Sequence, residues 1–492
     1  MTVKKNNQSA SEGSSSVKMH YFHVMVFVLL MFGFGQIVPP IATITPMGMQ
    51  ILGVFIATLY AWLFIDVLWP SLVSMIVLGF TGYGNLKKIF LEGFGSDIVL
   101  TLLFFFIFAA YLEETGLNRY MATWLITRKF LIGKPWRLVL MIFVASYLVA
   151  TIMGVYAAIL VVWSIVYNIA DTVGLEKRDR LVGFILVGVA NVVMLGWGVF
   201  PFTLFPLQGL TLLAKSTGVS VDIVKYLIFM APISVITLLS YHIGGKYIFK
   251  LDTSVLETGD YAKNMKLEPV TKEQKVAIFF SIVFILALLA PQVVPKTTAI
   301  GAVLAKFTVP ATIAALMAII CLIKTKDGQP LTSFQRLGAN GTNWSIIVLM
   351  ACTVPLGNAL ELKDAGIIQA LTTTWTPLLS NLHPFLFYAL SFFIALVITQ
   401  FVHNLVLLTI MTPILTTLAV SIGANPIIVT LGLILAIMAA IATPGASSRS
   451  ALVFGNTEWV APKDAYIFGI WAAFSAYLII VVLGIPLGML LF

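Results

Sequence analysis

Charged residues are scarce in this chain of 492 residues. Asp, Glu, Lys and Arg together make up 10% of it, whereas 60% of the residues are hydrophobic. Soluble proteins carry about 25% charged residues, so this sequence cannot cover a water-exposed surface of its size. The shortage excludes a soluble enzyme, a nucleic-acid-binding domain and a disordered chain. The uncharged runs instead predict a multi-pass protein of the inner or plasma membrane, in which the lipid bilayer is the main partner.

Cysteines and catalytic motifs are also scarce. The two cysteines, Cys321 and Cys352, lie in apolar runs without metal-type spacing, and we interpret them as small core residues. The sequence contains no Walker loop, dinucleotide fingerprint, metalloprotease helix or nucleophile elbow. This argues against ATP-driven transport by this chain alone. We therefore predict no enzyme, no catalytic residue and no cofactor.

The distribution of charge predicts four regions. The polar first 20 residues, 1–20, predict a disordered cytoplasmic tail. Residues 21–245 form a first membrane repeat, residues 246–275 a cytoplasmic linker of mixed charge, and residues 276–492 a second membrane repeat. Lys and Arg concentrate in the loops that lie inside when the N-terminus is cytoplasmic, and the positive-inside rule favours that topology.

Several uncharged stretches have the wrong length for ordinary spans. Residues 138–170 and 385–424 are too long for one crossing and too short for two, so each predicts a re-entrant helical hairpin. Residues 181–214 and 427–460 contain internal Gly and Pro, and each predicts a helix that is broken at membrane depth. Single spans are expected at 299–323 and near 343–360.

The two halves of the chain resemble each other in spacing. The segment that ends at Gly116 recurs in one that ends at Gly366, an offset of 366 − 116 = 250 residues. The tips of the two predicted hairpins, Gly154 and His403, lie 403 − 154 = 249 residues apart. With the topology above, the fold class is an all-α polytopic membrane protein of two inverted repeats, each with a re-entrant hairpin and a broken helix. That arrangement is typical of secondary transporters with a binding site at mid-membrane.

Arg449 is the only Asp, Glu, Lys or Arg between Asp364 and Glu458. It lies inside the second broken helix, where a charge costs several kcal/mol unless it is paired or solvated. No acidic residue is near in sequence, so we interpret Arg449 as the partner of an anionic substrate. The alternative is an arginine that snorkels to the cytoplasmic face or bonds the carbonyl groups at a helix C-terminus.

Polar residues at the tips and breaks complete the predicted substrate site. His403 can bind a carboxylate or carry a proton, and its alternative is a structural histidine. Tyr156 can donate its hydroxyl or serve only in packing. Asn191 and Thr203 are weaker candidates at the first broken helix. The predicted substrate-binding residues are Tyr156, His403, Asn404, Ser447, Ser448, Arg449 and Ser450.

Broken helices at membrane depth offer two kinds of ligand. Half-helix N-termini present N–H groups and the positive end of the helix dipole to an anion. Freed backbone carbonyls can coordinate a cation, because hard cations need oxygen ligands. These carbonyls predict possible cation sites near Gly154, Asn404, Gly198 and Gly445, and the family resemblance described next implies sodium as that cation.

Four segments resemble motifs of the divalent anion/sodium symporter family: Gln50–Ile56, Phe94–Asp97, Leu112–Gly116 and Ala451–Gly455. The resemblance extends from about Gly48 to about Gly469. It implies a homodimer in which a transport domain moves against a scaffold domain. In that family each hairpin tip carries Ser-Asn-Thr, which binds sodium and a substrate carboxylate.

The chain departs from this pattern at the site itself. Gly154-Val155-Tyr156 and His403-Asn404-Leu405 stand in the Ser-Asn-Thr places, and only Asn404 matches. Ser447–Ser450 stands where the family has Thr-Pro-Pro-Asn, and Gln400 stands where it often has Glu. The resemblance therefore implies an atypical member.

These observations predict a secondary active transporter of a small organic anion, a di- or tricarboxylate. It would work by alternating access, with sodium or proton coupling or by exchange. The alternatives are an uncoupled anion channel or uniporter, and a proton-coupled transporter of a different anion. No nucleic-acid partner is expected.

Overall fold

The computed structural model describes residues 2–258, 269–294, 297–304, 306–324, 328–379 and 382–492. Within these ranges the regular structure is helical, and the only β element is an isolated bridge between Lys324 and Pro330. Eight of the described helices are long and apolar enough to cross a membrane, or up to ten if each bent helix pair forms one span. The prediction of an all-α polytopic membrane protein is confirmed.

The helices follow one another closely along the chain. The first half contains α1 (Thr2–Ile37), α2 (Pro46–Phe64), α3 (Leu68–Leu78), α4 (Leu86–Phe94), α5 (Asp97–Glu114), α6 (Leu117–Ile126), α7 (Pro135–Met153), α8 (Val155–Val173), α9 (Arg180–Trp197), α10 (Leu204–Thr217) and α11 (Ile223–Ile243). The second half contains α12 (Lys272–Val293), α13 (Ala299–Leu304), α14 (Val309–Leu322), α15 (Phe334–Gly341), α16 (Trp344–Leu360), α17 (Ile367–Leu379), α18 (Pro384–Ile398), α19 (Asn404–Ser421), α20 (Pro426–Met438), α21 (Ser448–Gly455), α22 (Pro462–Ile479) and α23 (Ile485–Leu491).

Three segments differ from the sequence prediction. α1 begins at Thr2, whereas residues 1–20 predict a disordered tail. The physical reason is that a helix extends from an existing turn more easily than it starts, so the apolar end of α1 can carry the polar part with it. Residues 299–323 divide into α13 and α14, because Pro310 and the side-chain cap Thr308 start a new helix. The span near 343–360 is preceded by a separate short helix, α15.

The chain divides into two compact units. The first comprises Met1–Leu100 and Asn343–Asn381, and the second comprises Thr101–Thr342 and Leu382–Phe492. The second unit therefore contains both predicted hairpins and both predicted broken helices, together with every predicted substrate-binding residue.

Close backbone approach and one polar cluster hold the first unit together. α4 packs against α16, and a Cβ atom at Gly93 would overlap the carbonyl oxygen of Ala351. Glu92 accepts hydrogen bonds from the Tyr83 hydroxyl at 2.6 Å and from the Asn358 amide at 3.3 Å. Burial, together with the Glu92 carboxylate, raises the pKa of the Tyr83 hydroxyl. The cluster links the two chain segments that build this unit.

Helix pairs occupy the places of the two predicted hairpins in the second unit. α7 and α8 meet at Gly154, whose φ of +99° favours glycine. α18 and α19 are separated by residues 399–403. By length and composition, α7 and α8 each also qualify as a full span, so re-entry of this hairpin into the membrane stays a prediction.

The second unit also contains the two interruptions that the sequence predicts. α9 ends at Trp197 and α10 begins at Leu204, which leaves residues 198–203 as the first break. α20 ends at Met438 and α21 begins at Ser448, which leaves residues 439–447 as the second break. Both breaks lie within the segments 181–214 and 427–460.

Corresponding helices begin at a nearly constant spacing. α8 begins at Val155 and α19 at Asn404, which is 404 − 155 = 249 residues later. α4 begins at Leu86 and α15 at Phe334, which is 334 − 86 = 248 residues later. Each of the latter helices forms a bent pair with the helix that follows it. This spacing agrees with the internal repeat predicted from the sequence.

Candidate substrate-binding site

The two breaks of the second unit lie side by side. A Cβ atom at Gly198 would overlap the side chain of Met438, which ends α20. The Gly198 carbonyl accepts a hydrogen bond from the Tyr226 hydroxyl at 2.6 Å. Thr203 donates its hydroxyl to the Trp197 carbonyl at 2.8 Å. Neutral hydroxyl groups therefore satisfy carbonyls at the first break.

α10 and α19 run in the same direction and begin at the same end of the second unit. Near their starts, the Gln208 amide donates to the Thr409 hydroxyl and to the Leu405 carbonyl. Further along both helices, the hydroxyls of Ser216 and Thr416 are 2.9 Å apart. Because both contacts advance along the chain together, the helices are parallel and their N-termini are neighbours. Each N-terminus carries partial positive charge and N–H groups without partners inside the helix.

Three helices of the site lack side-chain caps. They are α8 and α19, which begin at the hairpin tips, and α10, which begins after the first break. Elsewhere, side chains such as those of Asn85, Asp179, Asp222 and Asn425 accept a hydrogen bond from the first turn of their helices. Side-chain caps are also missing at α3, α6, α7, α22 and α23, which begin away from the tips and breaks. No side chain caps α8, α10 or α19 in this way. The first-turn N–H groups of these three helices are therefore open to another acceptor.

Two of the uncapped starts have a residue that could cap them. Thr203 precedes α10, but its hydroxyl is directed to the Trp197 and Phe200 carbonyls. His403 precedes α19, and its Nδ1 is buried without a partner in the described part of the chain. His383 precedes α18, and its Nδ1 accepts the Phe385 N–H at 3.2 Å. The same residue type thus caps one arm of this hairpin and leaves the other arm open.

Arg449 lies in the first turn of α21 and is buried, with 1% of its surface exposed. Its Nη1 donates to the carbonyls of Ala190, at 2.8 Å, and Asn191, at 3.5 Å. Its Nη2 donates to the carbonyl of Met438, and to that of Ala440 at 3.3 Å. Met438 ends α20, Ala440 lies in the second break, and Ala190 and Asn191 lie inside α9, so the geometry matches in part the alternative of an arginine that bonds helix-terminal carbonyls. A substrate contact through Arg449 remains a prediction.

Gln400 fastens the second hairpin tip to the second break. Its Oε1 accepts the N–H groups of Ile441, at 3.2 Å, and Ala442, at 2.9 Å. Its Nε2 donates to the Leu396 carbonyl at 2.9 Å. The Gln400 carbonyl accepts the hydroxyl of Thr443. One side chain therefore replaces the helical hydrogen bonds that this loop has lost.

Three further predicted residues have side chains that already form hydrogen bonds with the backbone of α20 or of the second break. Asn404 donates to the Ile437 carbonyl at 3.2 Å. Ser447 caps α21 and donates to the Ala440 carbonyl at 2.8 Å. Ser450 donates to the Ile441 and Thr443 carbonyls. These side chains shape the second break, and Asn404 keeps its backbone N–H at the uncapped start of α19.

The remaining predicted residues are more open. Tyr156 is 51% exposed in the first turn of α8, and Ser448 is exposed in the first turn of α21. His403 is partly buried at the second tip. These three residues have side-chain groups that are available to a ligand.

The end of α21 is anchored to the first hairpin. Asn456 donates its amide to the Tyr167 hydroxyl at 2.8 Å, and Tyr167 stacks on Trp459 with ring centroids 4.6 Å apart. Lys177 donates to the Glu458 carboxylate, which raises the pKa of Lys177. The second break is thus bonded at one end to the segment that follows α8.

Residues 55–442 of this chain match the family described as citrate transporter. The chain belongs to the citrate transporter family. It is also similar to the crystal structure of the YdaH transporter from Alcanivorax borkumensis, with a TM-score of 0.56 and 12% sequence identity. That likeness covers 82% of this chain and 88% of the other, and it concerns the fold. Comparison with curated proteins gives no match.

Family membership confirms several sequence predictions. The protein is a multi-pass membrane transporter and not an enzyme, and its family supports secondary transport of organic anions. The predicted resemblance to the divalent anion/sodium symporters is confirmed as a likeness to an ion-transporter family.

The predicted sodium positions differ in what surrounds them. A Cβ atom at Gly154 or Gly445 would meet no heavy atom within 4 Å, so both positions border open space. At Gly198 and Asn404, carbonyl and side-chain oxygens already take part in hydrogen bonds. In the described part of the chain, no group of three or more His, Cys, Asp or Glu residues could hold a metal ion. Sodium would therefore depend on carbonyl and hydroxyl oxygens.

Sequence reasoning missed the parts that hold the site in shape. Gln400 was noted only for its place in the family pattern, although its amide is the main link between tip and break. Gln208 and Thr409, which join α10 to α19, were not singled out. A polar residue inside a long uncharged run was the available signal for both glutamine positions.

Proposed function

We propose that this citrate-transporter-family protein carries a small organic anion, a di- or tricarboxylate, across the membrane by alternating access. The carboxylates would bind at the uncapped starts of α8, α10 and α19. In this arrangement the N–H groups and positive helix ends would offset the charge of the anion without any resident acidic partner.

The observation that carries the proposal is the absence of side-chain caps at these three starts. A side-chain cap contributes about 1 kcal/mol to helix stability, so leaving three starts open is costly unless another acceptor binds there. Thr203 and His403 are able to cap, and their side chains do not do so. A carboxylate is the acceptor that both the geometry and the family favour.

The predicted residues would divide into two groups. Tyr156, His403 and Ser448 would donate hydrogen bonds to the anion, because their polar groups are available. Asn404 and Ser447 would place backbone N–H groups toward it, whereas Ser450, whose N–H donates to the Ser447 hydroxyl, would only hold the shape of the break. Arg449 would contribute its positive charge from its buried position in the first turn of α21.

The coupling mode and the assembly are further parts of the proposal. Sodium would be the coupling ion at carbonyls near Gly154, Asn404, Gly198 and Gly445. Proton coupling through His403, and exchange without a coupling ion, are the competing modes. By resemblance to the divalent anion/sodium symporters, the transporter would be a homodimer, which light scattering of the purified protein would test.

Uptake by proteoliposomes tests the function directly. The purified protein would take up at least one labelled member of a di- and tricarboxylate panel, measured with sodium and again with potassium at fixed pH. Uptake that requires sodium would support sodium symport, whereas sodium-independent uptake would favour exchange or proton coupling. Saturation and counterflow would separate a carrier from a channel. If the folded protein takes up no member of the panel, the carboxylate assignment is wrong.

Tyr156 offers a sharper test of the site. Replacing Tyr156 by Phe removes one hydroxyl, and the expected loss of about 0.5–1.5 kcal/mol corresponds to roughly a 2–12-fold rise in the KM for uptake. Tyr247 is similarly open at 62% exposure but lies after α11, away from both tips, so Tyr247→Phe is the matched control. An unchanged KM in Tyr156→Phe would remove Tyr156 from the site.

A further inference from the structure

The connection between α6 and α7 has a large excess of positive charge. It carries bases at Arg128, Lys129, Lys134 and Arg137, and the chain contains no Asp or Glu from residue 115 to residue 170. The last three of these bases are exposed, and Arg128 is half-buried. We call residues 124–137 the basic surface.

The charge of the basic surface is not neutralised by the described part of the chain. The ion pairs found there involve none of its four bases. Residues 254–258 pack against α7 and carry one acid, Glu257, which is exposed and likewise outside those ion pairs. The start of α7 has no side-chain cap, so the positive end of its helix dipole adds to the same excess.

The turn between α8 and α9 in the same unit is also basic, but its charges have partners. Lys177 pairs with Glu458, and Arg180 pairs with Asp464 at 3.6 Å. Arg178 donates to a backbone carbonyl. The positive-inside rule accounts for Lys and Arg at both places equally. It does not explain why one set is paired within the protein and the other is not, and this difference indicates a partner outside the chain.

Apolar side chains on the basic surface identify the kind of partner. Trp124, Phe130 and Ile132 are 42%, 53% and 46% exposed. The Arg128 guanidinium lies 4.2 Å from the centroid of the Trp124 ring, and its Nε donates to the Trp124 carbonyl at 2.6 Å. Bases beside exposed aromatic and aliphatic side chains suit the boundary between lipid phosphates and acyl chains. A soluble acidic protein would match the charge and leave the apolar side chains without a purpose.

We propose that the basic surface binds the headgroup of an anionic phospholipid. Its four bases contact the phosphate, while Phe130 and Ile132 face the upper part of the acyl chains. By the topology predicted from the sequence, this lipid belongs to the cytoplasmic leaflet, which is the negatively charged one. Because α7 is the first arm of the first hairpin, the lipid fixes the point at which that hairpin enters the membrane. The inference does not depend on the proposed substrate.

The test measures the apparent dissociation constant of phosphatidylglycerol from its thermal stabilisation of the protein purified in a neutral detergent. Lys129→Gln combined with Lys134→Gln removes two unpaired bases. Each base at a charged lipid surface contributes about fivefold to affinity, so the apparent dissociation constant should rise about 30-fold. Lys129→Arg combined with Lys134→Arg keeps both charges and should bind as the wild type does.

Lys177→Gln combined with Arg178→Gln is the matched control, because it removes the same net charge from the paired turn. Its affinity for phosphatidylglycerol should equal that of the wild type. Equal weakening in this control and in the Lys129 and Lys134 double glutamine variant would overturn the proposal, since it would show an effect of net charge alone. Soluble glycerol phosphate should not stabilise the protein. A response to it that equals the response to phosphatidylglycerol would mean that free phosphate is the ligand, and would also overturn the proposal.

The wild type covers the case in which the double glutamine variant does not fold. Phosphatidylglycerol should stabilise the wild type more than phosphatidylcholine does, and the excess should disappear in high salt, which screens exposed charges. Equal stabilisation by the two lipids would overturn the proposal. Failure of the carboxylate uptake assay would refute the proposed substrate and leave the lipid result unaffected.

Discussion

Replacing Gln400 should loosen the second break more than any surface change. The side chain is 7% exposed, and its Oε1 accepts the buried N–H groups of Ile441 and Ala442. Gln400→Ala leaves both N–H groups without an acceptor. Each such group costs about 1–3 kcal/mol, so the expected loss is roughly 2–6 kcal/mol in the free energy of unfolding.

The apparent melting temperature of the purified protein measures this loss. At roughly 2 °C per kcal/mol, it should fall by about 4–12 °C. Gln400→Glu keeps an acceptor for the two N–H groups and loses the donor to Leu396, so its melting temperature should lie between those of the wild type and the alanine variant.

Gln335→Ala provides the control, since Gln335 is an exposed residue of α15 in the same unit. If Gln400→Ala has the same melting temperature as this control, Gln400 does not hold the tip to the break, and the argument from unsatisfied N–H groups fails.

Three further substitutions test packing and the first break. Gly432→Ala should lower the free energy of unfolding by about 1–3 kcal/mol, because its Cβ would overlap the ring of Phe392. Gly445→Ala should leave the melting temperature unchanged, since its Cβ meets no heavy atom within 4 Å; equal melting of the two variants would refute the packing argument. Tyr226→Phe removes the hydrogen bond to the Gly198 carbonyl and should cost about 0.5–1.5 kcal/mol in chemical unfolding. No loss would show that this hydroxyl does not hold the first break.

Interruptions of the backbone were predictable because local chemistry dictates them. Gly154 falls between α7 and α8, and Pro201 falls within the first break, as the sequence indicates. Run lengths without charge located the helix pairs, but α7 and α8 are each long enough to span a membrane, so length did not distinguish a re-entrant hairpin from two spans. Both signals are contained in neighbouring residues, so one sequence is enough to read them.

Partners across the fold were not predictable in the same way. Arg449 stands out in the sequence as the one charge in a long uncharged region, but its carbonyl partners at Ala190 and Asn191 lie more than 250 residues earlier. Backbone carbonyls leave no trace in a sequence, because every residue has one. For that reason the sequence suggested a missing anion, where the structure shows a shell of oxygens.

The same reasoning applies to Gln400. A buried glutamine in an apolar run indicates a polar contact, but nothing in the sequence says that the contact is a loop with unpaired N–H groups. The bent pair of α15 and α16 was missed because Phe334–Gly341 is short and polar, which hides it from a count of apolar residues.

No side chain of the described residues caps α8, α10 or α19. In the proposed mechanism the substrate would supply there the hydrogen-bond acceptors that the chain's own side chains supply at helices such as α4 and α9. A bound carboxylate would therefore accept hydrogen bonds from the first turns of these helices, and substrate binding would complete their secondary structure.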